Sequence, residues 1–216
     1  MLPTNAVRPL AENNLARRGV RRLVVGISGA SGAIYGIRLL QKLRSFDDIE
    51  SHLVISTAGE RTICEETDFS LADVRALADV NHPLRNIGAS IASGSFRSMG
   101  MVIAPCSVRT LASVAYCQAD NLLSRAADVM LKEGRPLILL FRETPLHVGH
   151  IKAMMLASEA GAVIMPPVPA FYNRPQTVDE VVDHTVGRVL DRIAYDHETV
   201  PRWSGSALQR QPKDVV

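Results

Sequence analysis

A run of apolar and β-branched residues that breaks directly into small ones constrains this chain more than any other feature. Arg21-Arg22-Leu23-Val24-Val25-Gly26-Ile27-Ser28 reads as a buried strand, Gly29-Ala30-Ser31-Gly32 as a turn, and residues 33–43 as the helix that follows. Such a turn leaves backbone N–H groups and the positive end of the helix dipole facing one point, and its glycines let a phosphate approach the main chain. The spacing Gly26-x-x-Gly29-x-x-Gly32 is not the Gly-x-Gly-x-x-Gly of dinucleotide-binding folds, and no Lys-Ser/Thr pair follows as in a P-loop. Two readings therefore stand, an anion cradle or a tight bend of the kind any α/β protein uses. A helix N-terminus adds only about 0.3–1 kcal/mol to anion binding, against about 1.5–3 kcal/mol for a hydrogen bond to a charged group. A phosphate site on this turn needs an Arg or Lys from elsewhere.

The rest of the chain alternates strand-like and helix-like segments. Residues 49–56, 101–104, 137–141 and 162–165 read as strands, and 57–66, 71–78, 111–116, 121–131 and 148–160 as helical. Thr177-Val178-Asp179-Glu180 has the pattern of a capping box, and Val178, Val181, Val182, Val189, Leu190 and Ile193 mark one apolar face of a final helix. Strands separated by helices predict a mostly parallel sheet covered on both faces, hence a single three-layer α/β/α doubly wound domain. We expect that domain to span 21–203, after a flexible extension over 1–20 and before a polar tail over 204–216.

With 216 residues, 47% of them hydrophobic, the chain can bury one full core. A net charge of +2 and no Lys/Arg-rich run argue against a nucleic-acid partner and favour small molecules. Three cysteines, Cys64, Cys106 and Cys117, suit free thiols in a cytoplasm better than a disulfide framework. No apolar run reaches the roughly 18 residues of a membrane span.

In a parallel sheet, ligands bind outside the carboxyl ends of the strands, so the residues after each strand are the candidates. They are Gly29, Ala30 and Ser31; Ser56 and Thr57; Pro105, Cys106, Ser107 and Thr110; Arg142-Glu143-Thr144-Pro145; and the segment 166–172 ending in Phe171 and Tyr172. Ser107 taken alone reads as a helix N-cap and Cys106 as a small buried filler. Together, two turns able to donate N–H groups and one strand-end cation, Arg142, suit a large, flat, phosphorylated ligand. His147 and His150 offer only two metal ligands, so a capping or surface role is expected. Nothing in the sequence places a histidine to activate Cys106 as a nucleophile.

Several motifs in order resemble the UbiX-type flavin prenyltransferases: Gly26-Ile27-Ser28-Gly29-Ala30-Ser31-Gly32-Ala33, Glu65-Glu66-Thr67-Asp68, Ser93-Gly94-Ser95, Pro105-Cys106-Ser107, Arg125-Ala126-Ala127-Asp128-Val129, Arg142-Glu143-Thr144-Pro145, and the run from Gly161 to Tyr172. The resemblance spans about Arg21 to Trp203. It implies a flavodoxin-like, Rossmann-like subunit that joins the dimethylallyl group of dimethylallyl phosphate to N5 and C6 of reduced FMN, without a metal. Prenylated FMN would then pass to a UbiD-type decarboxylase, in many bacteria for ubiquinone synthesis. Carried over, the FMN contacts are Gly29, Ala30, Ser31, Ser56, Ser107, Val108, Arg109, Thr110 and Arg142. The prenyl phosphate falls to Lys132, Arg142, Tyr172 and Arg188, drawn from more than one subunit of a dodecamer.

Those residue types suit the chemistry. Breaking an allylic C–O bond builds charge on the departing phosphate, which Lys, Arg and a Tyr hydroxyl stabilise most in the transition state. Closing the second carbon bond releases a ring proton, for which Glu66 and Glu143 are candidate relays, with Ser31 beside the reacting flavin edge. Two departures stand out: Ala104 precedes Pro105 where a Cys is common, and Gly134 stands where an Arg often does. Two alternatives are an FMN-dependent decarboxylase of the phosphopantothenoylcysteine type and a non-catalytic FMN carrier. The first would carry a Pro-x-Met-Asn clamp, where this chain has Pro167-Val168-Pro169-Ala170.

Overall fold

A computed structural model describes residues 19–193. The extension expected over 1–20, apart from its last two residues, and the tail over 204–216 lie outside the described residues. In chain order the elements are β1 (Arg21–Ile27), α1 (Ala33–Leu43), β2 (Ile49–Ile55), α2 (Thr57–Glu66), α3 (Leu71–Ala76), β3 (Val80–His82), β4 (Gly100–Cys106), α4 (Val108–Ala115), α5 (Leu122–Lys132), β5 (Leu137–Phe141), α6 (Val148–Glu159), β6 (Val163–Ile164) and α7 (Val178–Arg192). Short 3-10 turns cover Ser90–Ala92 and Phe171–Asn173.

The six strands form one sheet in the order β3-β2-β1-β4-β5-β6, and every neighbouring pair is parallel. Winding runs outward from β1 to β3, then returns to the other side of β1 with β4. The crevice between β1 and β4 is thus the point where strand order reverses, the place where such sheets bind ligands. Helices bury both faces. Leu23, Val25 and Ile27 pack with α1 and α7, whereas Val24, Met101, Ile103, Leu137 and Leu139 pack with α5 and α6. That two-sided burial is why β1, β4 and β5 read as unbroken apolar runs.

The structure corrects some local expectations. β3 was not anticipated: three residues at the sheet edge carry no apolar pattern. α3 stops at Ala76, because the amides of Leu77 and Ala78 bond three residues back and tighten the chain. In α7 the apolar face begins at Val182; Val178 is 77% exposed. The capping box is only half made there. Thr177 Oγ1 accepts from the Glu180 amide at 3.2 Å, but Glu180 Oε2 accepts from the Gln176 amide at 2.7 Å instead of from Thr177.

Candidate active site

Ser28, fully buried at the end of β1, stitches the two central turns together. Its amide and hydroxyl both donate to Pro105 O, at 3.2 and 2.8 Å, and its Oγ accepts from the Ser107 amide at 2.8 Å. The turns after β1 and β4 are therefore held side by side at the reversal point. Across them lies α2. A Cβ on Gly29 would come within 2.3 Å of Ala58 Cβ, so only glycine lets the first turn of α2 dock there. At its other end, Glu66 Oε2 accepts from the amides of Gly32, at 2.7 Å, and Ala33, at 3.2 Å.

The Glu66 contact changes the expected cradle. Gly32 takes a left-handed φ of 102° to open α1, but the N-terminal donors of that helix meet a carboxylate of the chain itself. Donors left without a hydrogen-bond partner among the described residues include the amides of Gly29, Ala30 and Ser31, together with the Ser31 hydroxyl. After β4, Ser107 caps α4: its Oγ lies 3.3 Å from the Thr110 amide and 3.1 Å from Thr110 Oγ1. The amides of Val108 and Arg109 remain unpartnered among the described residues, while the exposed Arg109 guanidinium turns 3.6 Å from Asp120. Ser56 is likewise a cap, accepting from the Gly59 amide at 3.0 Å.

Arg142 follows β5, its amide bonded to Cys106 O at 3.1 Å. Its exposed guanidinium has no hydrogen bond or ion pair among the described residues. Its charge reaches Tyr35 in the first turn of α1: burial raises the phenol's pKa, and Arg142 opposes that rise. Arg142 is thus the cation that the first turn lacked. Tyr35 was missed from sequence, where a lone aromatic in a first helical turn reads as core; its ring packs over Gly32. Glu143, half-buried beside Arg142, accepts from the Thr144 amide at 2.9 Å.

The remaining predicted residues are not all brought to this crevice. α5 runs back along the sheet, so Lys132 stands at the amino edge, paired with Glu133 and next to Gly94. Arg135 holds that corner by donating to Gly94 O at 2.7 Å and Phe96 O at 2.6 Å, which gathers the Ser93-Gly94-Ser95 motif around Lys132. Arg38 pairs with Asp179 and Asp183, and Lys42 with Asp183, so α7 runs alongside α1 in the same direction. Arg188 lies beyond, exposed and donating to Asp191 at 2.8 Å. Tyr172 points its hydroxyl at His184 Nε2 on α7, 3.4 Å away.

The less favoured chemistries find no support. His147 caps α6, its Nδ1 accepting from the Gly149 amide at 3.0 Å, and no metal-ligating group of three forms among the described residues. Cys106 is fully buried, and burial pushes its thiol pKa far up, away from a nucleophilic thiolate.

What the crevice offers is five unpaired amides on two adjoining turns and one unpaired guanidinium, the donor set of a phosphate-bearing cofactor. The Flavoprotein family model matches residues 11–190. Flavin prenyltransferase UbiX of Escherichia coli (strain K12) is 60% identical over 189 residues, covering 87% of this chain and all of that protein. AnUbiX (PadA1), solved in complex with FMN and dimethylallyl pyrophosphate, superposes with a TM-score of 0.84 at 47% identity, covering 86% of this chain and 98% of that one. A dodecameric FMN-dependent UbiX-like decarboxylase from Escherichia coli O157:H7 superposes at 0.83 with 49% identity, over 85% and 100% of the two chains. The chain belongs to the flavoproteins and, within them, to the UbiX-type flavin prenyltransferases.

Proposed function

We propose that this chain transfers a dimethylallyl group from its phosphate ester to N5 and C6 of reduced FMN, giving prenylated FMN. The observation that carries this is the unpaired Arg142 guanidinium standing with the free amides of Gly29, Ala30, Ser31, Val108 and Arg109. These residues fit FMN: the amides and Arg142 would bind its phosphate and polar edge. FMN supplies the nucleophilic nitrogen and carbon. The full cofactor set carried over is Gly29, Ala30, Ser31, Ser56, Ser107, Val108, Arg109, Thr110 and Arg142; Ser56, Ser107 and Thr110 act by shaping the turns, since their hydroxyls are engaged in or near helix caps.

Lys132, Arg142, Tyr172 and Arg188 hold the phosphate of the prenyl donor and draw off the charge that grows on it as the allylic C–O bond breaks. Because Lys132 stands at the amino edge and Arg142 at the carboxyl edge, they meet only if one chain's crevice faces another's amino edge. The UbiX-like relative is dodecameric, and an assembly of that kind would bring one chain's crevice to another's amino edge. Ser31, Glu66 and Glu143 border the flavin edge and move the ring proton released when the second carbon bond closes. The donor is dimethylallyl phosphate, the product passes to a UbiD-type decarboxylase, and the compartment is the cytoplasm. No helix of the described residues is long and apolar enough to cross a membrane.

The decisive experiment incubates the protein anaerobically with reduced FMN and dimethylallyl phosphate, then measures the mass of the released flavin. A mass gain of one dimethylallyl unit is expected. Unchanged flavin mass with intact FMN binding overturns prenyl transfer and leaves the carrier role.

A further inference from the structure

His184 is absent from every set of site residues above, yet it contacts the hydroxyl of Tyr172. Its Nε2 lies 3.4 Å from the Tyr172 hydroxyl, and the two rings meet edge to face, with centroids 5.9 Å apart and planes at 86°. Arg188 follows four residues later, so His184 and Arg188 share one face of α7. Tyr172 itself is exposed on a three-residue 3-10 turn. We propose that His184 is a positioning residue for prenyl transfer, aiming the Tyr172 hydroxyl proton at the phosphate of the prenyl donor. This rests on the placement of Tyr172 at that phosphate.

The argument is one of proton inventory. A phenol has a single O–H, and to donate it to a phosphate oxygen the Tyr172 oxygen must take its other hydrogen bond as an acceptor. In the tautomer that carries its proton on Nε2, His184 supplies that bond. A phenolic O–H lies near the ring plane in one of two directions; a donor placed on one side leaves the proton the other. Burial, reinforced by the charge of Arg188, lowers the His184 pKa, so the ring is neutral at pH 7 and carries one N–H. With that N–H on Nε2, His184 orients Tyr172 without placing a second positive charge next to Arg188. It touches neither substrate nor flavin, and so acts on donor binding through Tyr172.

The test compares His184→Phe, His184→Gln, His184→Asn, Tyr172→Phe and the double variant Tyr172→Phe/His184→Phe. Each is assayed with reduced FMN at saturation and dimethylallyl phosphate varied; FMN affinity and melting temperature are measured alongside. His184→Phe should raise KM for dimethylallyl phosphate and lower kcat, together about 10-fold in kcat/KM, the loss of one hydrogen bond, with FMN affinity unchanged. Gln, whose amide nitrogen reaches the place of Nε2, should restore kcat/KM; Asn, whose amide falls short, should not. In the Tyr172→Phe background the second substitution should add nothing. A wild-type kcat/KM in His184→Phe while Tyr172→Phe is impaired overturns the inference, as does an equal further loss in the double variant. A wild-type kcat/KM in Tyr172→Phe overturns the placement of Tyr172 at the phosphate itself, so the two failures are told apart.

Discussion

Glu66 Oε2 sits 2.7 Å from the Gly32 amide, so the last residue of α2 caps the first turn of α1 across 34 positions of sequence. The positive end of α1 is thus answered by the protein's own carboxylate, which complements the dipole there. The cap is separable from the proton relay proposed for Glu66. Glu66→Ala removes the cap and should lower the melting temperature by about 2–4 °C, the effect of a lost cap of about 1 kcal/mol in a chain of this size. Glu66→Gln keeps an oxygen for the amides of Gly32 and Ala33 and should recover that loss, but it cannot accept a proton. Prenyl transfer in the Gln variant should fall by about 100-fold or more if Glu66 relays the ring proton. Scanning calorimetry and the flavin mass assay separate the two, and a Gln variant of wild-type rate would reduce Glu66 to a cap.

Ser28 makes a second prediction. Among the described residues its hydroxyl is the side-chain bridge between the turns after β1 and β4, and Ser28→Ala leaves the half-buried Ser107 amide without its partner. Loss of such a half-buried hydrogen bond costs about 0.5–1.5 kcal/mol. The urea midpoint should drop with an unchanged m-value, and FMN affinity should fall with it, because both donor turns lose their common anchor. An unchanged midpoint would show that the main-chain bond from Ser28 to Pro105 suffices.

The fold was legible wherever burial on both faces leaves an apolar run, as in β1, β4 and β5. It was illegible at β3, where Val80-Asn81-His82 joins the sheet by pairing with β2 rather than by any pattern of its own. Val178 fits the helical period of α7 yet stays exposed, because period alone does not say where a neighbouring helix begins to cover a face. In the site, the strand-end turns and Arg142 were visible because topology puts strand ends in one place. The Glu66 cap, the Tyr35 contact and the pairing of Tyr172 with His184 join residues whose proximity depends on how α2, α1 and α7 lie. No local spacing encodes that.

The edge of the sheet carries a third prediction, on pH. His52, 4% exposed, places Nδ1 2.9 Å from His82 Nε2 and Nε2 2.9 Å from Glu50 Oε1, and Arg22 donates to the same carboxylate at 2.8 Å. Burial lowers the pKa of His52 below the 6.5 of a free imidazole, despite the opposing pull of Glu50; burial and the nearby His52 do the same to His82. Both rings therefore bind fewer protons folded than unfolded. Stability is full above about pH 6.5 and is lost as pH falls through the lowered folded values. Burial alone would raise Glu50, but hydrogen bonds from His52 and Arg22 hold it below 4.5, which adds a second loss at stronger acid. The melting temperature should fall as pH drops below about 6.5, and His82→Leu should make that fall shallower. A flat profile in wild type would refute the linkage.

Lys132 and Arg142 give the last prediction, because they stand at opposite edges of one sheet and are both assigned to one phosphate. If both serve one phosphate, as proposed above, a working site takes Lys132 from one subunit and Arg142 from another. Lys132→Ala and Arg142→Ala should each lose about 10- to 150-fold in activity when pure, since loss of a charge-assisted contact to phosphate costs about 1.5–3 kcal/mol and the growing charge is greatest in the transition state. Refolded together, the two variants form mixed assemblies in which some crevices receive the intact Arg142 of one chain and the intact Lys132 of its neighbour. Activity should return to a fraction of wild type, greatest near equal mixing, while the double variant Lys132→Ala/Arg142→Ala mixed with either single variant stays lower. Mixed assemblies are confirmed by native mass spectrometry before assay. Mixtures that contain both chains in one particle yet show no recovery would mean that Lys132 and Arg142 do not serve a shared site.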